Sequence, residues 1–217
     1  MNKEKNDDCL VAPLIGISRH RIGIDGKGVV TLVAFHGCTL SCRYCLNRQC
    51  LRADGVWKTV TPNALLNEVM QDNIYFLASG GGITFGGGEP CMYDTFIEDF
   101  CRIMPKEWKV RLETALNMER HHLERLIPCV SQYYIDVKDL NPDIYNRYTS
   151  QPIERMVSNL RWLLSHEGMA AKIIVRLPHI PGYNTPDDVE RSRKILTDMG
   201  VENFDELYYI IPSREEK

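Results

Sequence analysis

The chain has 217 residues, of which 44% are hydrophobic and 25% charged, with a formal net charge of −3. That length and apolar share suffice for one well-filled core, and the mild acidity with scattered Lys and Arg argues against a nucleic-acid surface. No apolar run approaches the ~20 residues that span a bilayer, and the charged opening MNKEKNDDCL lacks the core of a signal peptide. The expectation is a cytoplasmic protein with no nucleic-acid and no membrane partner. Its eight cysteines are then not expected to pair, because cytosolic thiols are kept reduced.

One domain is expected over residues 1–217: an N-terminal lead-in (1–27), a βα core (28–212) and a short tail. In chain order the predicted strands are 29–35 (VVTLVAF), 83–85, 110–114, 133–138, 172–177 and 206–211. Several are almost continuously apolar, as strands covered on both faces are. Helices are predicted between them. Thr61-Pro62 and Thr185-Pro186 each set a capping hydroxyl before a proline at the first helical position. Further helices cover 93–103, 118–127 and 153–166, the last with Leu160, Leu163 and Leu164 on one face. Six β-α steps predict an α/β fold with one parallel sheet and helices outside it, too few for a closed eight-stranded barrel. In such folds the site lies at the carboxyl ends of the strands. Five sets of residues fall there: the cysteine segment after the first strand, GGGEP (86–90), Glu113-Thr114, Asp136 with Lys138, and Arg176.

The segment FHGCTLSCRYCLNRQC (35–50) brings Cys38, Cys42 and Cys45 within eight residues. Structural zinc takes four ligands, and a Cys3His set using His36 would require the loop to fold back. Three thiolates on a flexible loop suit a cubane cluster, which would leave one iron open. Cys9, Cys50, Cys91, Cys101 and Cys129 show no paired spacing and read as small buried thiols. The six histidines match no ligand spacing and read as solvated or locally satisfied.

Cys-x3-Cys-x2-Cys, with Tyr44 before the last cysteine, resembles the radical S-adenosylmethionine superfamily. The stretch GIDGKGVVTLVAFHGCTLSCRYCLN resembles the opening of glycyl-radical-enzyme activases. ITFGGGEP, a Glu-Thr strand end, IDVKDLNPDIY and VRLPHIPGYN follow in the family's order, so the likeness runs over about residues 16–212. It implies a partial (β/α)6 barrel of the radical SAM type, with the cluster and cofactor at the C-terminal rim. One [4Fe-4S] cluster would be held by Cys38, Cys42 and Cys45, its fourth iron chelated by S-adenosyl-L-methionine. The resemblance places Tyr44, Asn47, Gly87, Gly88 and Glu89 at the cofactor, Glu89 as acceptor for its ammonium. Asp136, Lys138 and Arg176 would also lie at the cofactor, Lys138 and Arg176 supplying positive charge for its carboxylate or ribose, and Asp25 would lie on the substrate side.

The implied reaction is reductive cleavage of S-adenosylmethionine to a 5′-deoxyadenosyl radical, fed by flavodoxin or ferredoxin. The radical would take a hydrogen atom from a glycine of a glycyl radical enzyme. The alternative is a radical enzyme of the same superfamily that modifies a peptide or a small molecule. Two differences from the family pattern bear on the site. The third strand ends Glu113-Thr114-Ala115-Leu116 where the family often reads Asp-Thr-Asn-Gly, and no His follows Ile210 where the family carries a further cofactor contact.

Overall fold

The computed structural model of the chain describes residues 10–209. Cys9, the tail 210–217 and the end of the predicted strand 206–211 lie outside the described residues. The strands are β1 (Ala12–Ile22), β2 (Val29–Phe35), β3 (Lys58–Val60), β4 (Gly82–Gly87), β5 (Lys109–Thr114), β6 (Gln132–Asp136), β7 (Ile173–His179) and β8 (Asn203–Tyr208). They form one sheet in the order β3-β1-β2-β4-β5-β6-β7-β8. From β2 to β8 all pairings are parallel, whereas β1 pairs antiparallel with β2 and β3. The six parallel strands are the six expected, in an open sheet extended at one edge by β1 and β3.

The helices are α1 (Pro62–Val69), α2 (Asn73–Ser79), α3 (Asp94–Ile103), α4 (Arg120–Leu126), α5 (Pro142–Thr149), α6 (Glu154–Leu164) and α7 (Pro186–Asp198). Thr61 caps α1 by accepting from Ala64 N, and Thr185 and Asp188 form a reciprocal capping box on α7. The core fills the helix-side face of the sheet. Phe35 of β2 stacks on Phe85 of β4 at 5.6 Å and on Tyr93 at 4.7 Å, and meets Phe96 of α3 edge-on at 5.8 Å. Leu123 and Leu126 of α4, Leu160 and Leu163 of α6 and Leu196 of α7 continue this core across Leu112, Ile135 and Val175.

The opposite, concave face is polar, because period-two alternation sends every second residue there. Thr84, Arg111, Glu113, Tyr134, Asp136, Arg176 and Asp205 share it through the parallel register. The turn between β1 and β2 folds inward beneath this face, at the amino-terminal ends of the parallel strands. Its carbonyls accept from three strands: Asp25 O from Thr84 Oγ1 (3.5 Å), Lys27 O from Arg111 Nη2 (2.7 Å) and Ile24 O from Arg176 Nη2 (3.4 Å). Gly26, at φ +114°, has no room for a side chain, since a Cβ would stand 2.4 Å from Arg111 Nε.

Candidate active site

The cysteine loop leaves β2 at Phe35 and crosses the carboxyl-terminal rim. Backbone bonds fasten it on two sides. Ser41 N and Arg43 N donate to Thr149 O and Tyr148 O at the end of α5 (2.9 and 3.1 Å), and Gly37 N donates to Cys50 O (2.8 Å). The end of β4 meets it from the third side, where Gly88 N donates to Phe35 O (2.9 Å) and Glu89 N to Gly37 O (2.8 Å). The glycines of GGGEP therefore serve the loop's own backbone: a Cβ on Gly88 would lie 1.9 Å from Gly37 O. Asn47 completes the tie, its Nδ2 donating to Gly87 O at 3.0 Å.

All seven described cysteines are free thiols. Cys38, Cys42 and Cys45 are half-buried on one loop, close enough for each to bear on another's charge. Burial pushes the Cys38 thiol up to about 12 and raises Cys42 as well. Cys45 moves the other way, to about 6, chiefly because the buried Cys50 thiol hydrogen-bonds to it. Among the described residues no three His, Cys, Asp or Glu side chains are gathered as a single metal ion would need. A cubane binds each cysteine on a separate iron. Three free thiols facing one rim, with no disulfide among them, are a donor set that fits it.

Lys138 lies just past β6 and stands beside Asp136, Nζ to Oδ2 3.1 Å, with its second partner Tyr209 Oη also at 3.1 Å. Burial opposes its charge, yet Asp136, Tyr209 and the nearby Cys42 outweigh it and hold its pKa well above the lysine range. Tyr44 donates to Pro181 O at 3.3 Å and packs edge-on against Tyr183 and Tyr148, with centroids 5.6 and 6.0 Å away. Asp136, Lys138, Tyr44, Asn47, Gly87 and the three cysteines thus share the rim. Tyr209, Tyr148 and Tyr183 join them; Tyr183 belongs to the VRLPHIPGYN segment, but none of the three was singled out as a site residue, because each reaches the rim from a strand or helix end distant in sequence.

Glu89 and Asp25 are both buried. Glu89 is only 1% exposed. Its Oε1 accepts from Thr114 Oγ1 (2.8 Å) and Cys91 N (3.2 Å), and its Oε2 from Ala115 N (3.0 Å), so it cross-ties the ends of β4 and β5. Burial raises it to about 7 against the pull of these donors. Asp25, also 1% exposed, is ion-paired with Arg21 and lies 3.8 Å from Arg176 Nη2, below the concave face. Arg176 reaches across the lumen to Glu113 Oε1 at 2.8 Å and stacks over Tyr134 at 4.6 Å. Burial raises Glu113 to about 7 despite this arginine, with Asp25 and Asp136 adding repulsion.

The third strand ends in a turn at Leu116. Leu116, where the family has Gly, sits at φ +54°, a conformation that favours glycine. It is held there by full burial and by Asn159, whose Nδ2 donates to Leu116 O (2.9 Å) and Met118 O (2.8 Å). Three of the histidines have local hydrogen-bond partners: His20 in Asp72, His36 in Arg52 O and His166 in Trp162 O.

Residues 32–196 match the Radical SAM superfamily. The pyruvate formate-lyase 1-activating enzyme of Escherichia coli (strain K12) is 29% identical over 191 residues, 86% of this chain and 76% of that protein. Streptococcus suis SuiB bound to S-adenosylmethionine superposes with a TM-score of 0.63 at 10% identity, over 84% of this chain and 43% of that one. A domain of a pyruvate-formate lyase-activating enzyme from Bacteroides vulgatus ATCC 8482 gives 0.52 at 22% identity, over 62% and 87%. At these identities the structural likenesses speak to the fold.

Proposed function

The chain belongs to the Radical SAM superfamily, and we propose that within it the protein is an activase that installs a glycyl radical on a partner enzyme. What carries this reading is the three-thiol loop, seated at the parallel strand ends beside Gly87 and the Lys138–Asp136 pair. The 29% identity to an activating enzyme over 86% of the chain supports the choice within the superfamily.

Cys38, Cys42 and Cys45 would hold a [4Fe-4S] cluster. Bound there with S-adenosylmethionine, such a cluster would supply one-electron reductive cleavage chemistry. The chain's own residues bind, orient and shield. Lys138 brings a buried ammonium toward Cys42, suited to a carboxylate. Asp136 keeps that ammonium charged and fixed. Tyr44, braced by Tyr183 and Tyr148, offers a flat apolar face for an adenine. Asn47 and Gly88 set the loop's distance from β4. Glu89 and Thr114 hold the two strand ends in register from beneath. Arg176, Glu113 and Asp25 close the lumen below the rim, which keeps bulk water from that side.

The test is anaerobic. Iron-loaded, dithionite-reduced protein should release 5′-deoxyadenosine from S-adenosylmethionine, and Cys42→Ala should not. Mixing with glycyl radical enzymes should then give a glycyl-radical doublet in electron paramagnetic resonance. Cleavage without a doublet on any such partner would transfer the protein to the peptide- or small-molecule-modifying branch.

A further inference from the structure

We propose that Cys101 and Cys129 form a redox site of their own: a dithiol that hydrogen peroxide converts to a disulfide between α3 and the turn after α4, and that a thiol reductant restores. The site stands apart from the cysteine loop and does not depend on the function proposed above.

Helix geometry brings the two sulfurs together. Asp94, Glu98 and Cys101 recur at i, i+4 and i+7, so they line one face of α3. His122, Arg125 and Cys129 recur at i, i+3 and i+7, a line that starts on α4 and runs into the turn that follows it. The two lines meet residue by residue. His122 Nδ1 lies 3.3 Å from Asp94 Oδ1, and Arg125 donates to Asp94 Oδ2 at 2.8 Å and to Glu98 Oε2 at 3.2 Å. Next along this seam come the two thiols, hydrogen-bonded to each other. A disulfide holds its sulfurs at about 2.05 Å, so closure from hydrogen-bond contact is a movement of roughly 1.5–2 Å. Cys129 can supply much of it, because it sits in a turn and not in a helix.

Both thiols are half-buried, whereas Cys50 and Cys91 are buried. The bond from Cys101 holds the Cys129 thiol below its ordinary value, against burial and the Glu98 charge, and the same bond raises Cys101. That asymmetry assigns the roles. The Cys129 thiolate attacks one peroxide oxygen, the O–O bond breaks, and the other oxygen leaves as hydroxide, taking the Cys129 proton to become water. Cys101 sulfur then attacks the resulting sulfenic acid: the S–S bond forms, the S–O bond breaks, and the departing hydroxide takes the Cys101 proton. Two thiols lose two electrons, and one peroxide becomes two waters.

The position explains the use. Tyr93, which donates to His36 O at the cysteine loop (2.7 Å), lies eight residues before Cys101, about 12 Å back along the helix. The bridge therefore forms away from the rim. It closes a loop over residues 101–129 that contains β5, whose end holds Glu89 through Thr114 and Ala115. A cross-link there restricts the unfolded chain and so stabilises the centre of the sheet whenever oxidant is present.

The test treats the metal-free chain with stoichiometric hydrogen peroxide, alkylates the remaining thiols, and digests with trypsin and Glu-C. Mass spectrometry should find residues 99–102 (DFCR) joined to 126–138 (LIPCVSQYYIDVK), lighter by two hydrogens. The urea midpoint should rise by roughly 1 M, and dithiothreitol should undo both changes. Cys101→Ser should instead accumulate dimedone-reactive sulfenic acid at Cys129. Cys101→Ser/Cys129→Ser should show no peroxide-induced rise. Cys101 and Cys129 both alkylated in wild type while peroxide oxidises other cysteines would overturn the proposal. So would a bridge from either one to Cys38, Cys42 or Cys45, or an equal rise in the double serine variant.

Discussion

Replacing Gly88 by Ala probes the contact on which the site depends. The new methyl would stand 1.9 Å from Gly37 O and 3.1 Å from Phe35 O, both backbone atoms with no rotamer to yield. Either the cysteine loop or the end of β4 must move. The move lengthens the Gly88 N–Phe35 O and Glu89 N–Gly37 O bonds, now 2.9 and 2.8 Å. Overpacking a close contact costs about 1–3 kcal/mol, and each weakened hydrogen bond adds roughly 1 kcal/mol. The expected loss is therefore about 3–5 kcal/mol, a fall of roughly 1–2 M in the urea midpoint for a chain of this size. Gly16→Ala is the control, because nothing lies within 4 Å of its Cβ position. Urea titration of the metal-free protein reads the stability, and iron per chain after anaerobic reconstitution reads the loop. A Gly88→Ala protein with a wild-type midpoint and full iron would refute the argument that β4 sets the height of the loop.

Glu89 and Glu113, held near 7 instead of 4.5, bind protons in the fold that the unfolded chain has released. Stability of the metal-free protein should therefore fall as pH rises from about 5 to about 8, and Glu113→Gln should flatten that slope. Arg176→Lys keeps the charge, but a single ammonium cannot reach Glu113, Ile24 O and the Tyr134 face together; a loss of roughly 2 kcal/mol by chemical denaturation is expected. Asn159→Ala strands two carbonyls at the Leu116 turn and should cost about 1–3 kcal/mol in the same assay. Iron content and cofactor cleavage should survive Cys50→Ala and be lost in Cys42→Ala. Iron loss in the Cys50 variant would make that buried thiol a ligand.

The parallel strands were legible from their runs of β-branched and aromatic residues. VVTLVAF is β2 to the residue, and the remaining five differ chiefly at their ends. β1 escaped because APLIGISRHRI ends in a polar run, Arg19 and His20 meeting Asp72 and Arg21 meeting Asp25, carries two register shifts, and lies in the antiparallel part of the sheet. α5 carried a readable signal in Asn141-Pro142, the same cap-and-proline pair as Thr61-Pro62, and Asn141 does accept from Asp143 N. β8 begins three residues before the apolar run that suggested it. In the site, the cysteines, Asn47, Asp136 and Lys138 could be placed because strand ends predict the rim. The burial of Glu89 could not, since its donors Thr114 and Ala115 come from a neighbouring strand 25 and 26 residues away. Tyr209 likewise meets Lys138 only once β8 is seated, 71 residues after β6.

The inward turn at Ile24 also sets an order of events. Arg176, which binds Ile24 O and faces Asp25, is separated from Ile24 by 152 residues. During synthesis the first hairpin is therefore complete long before its lumen partner leaves the ribosome, and until then Asp25 has only Arg21 to balance it. The floor of the concave face is a late structure resting on an early one. Closing so long a loop delays the final step of folding.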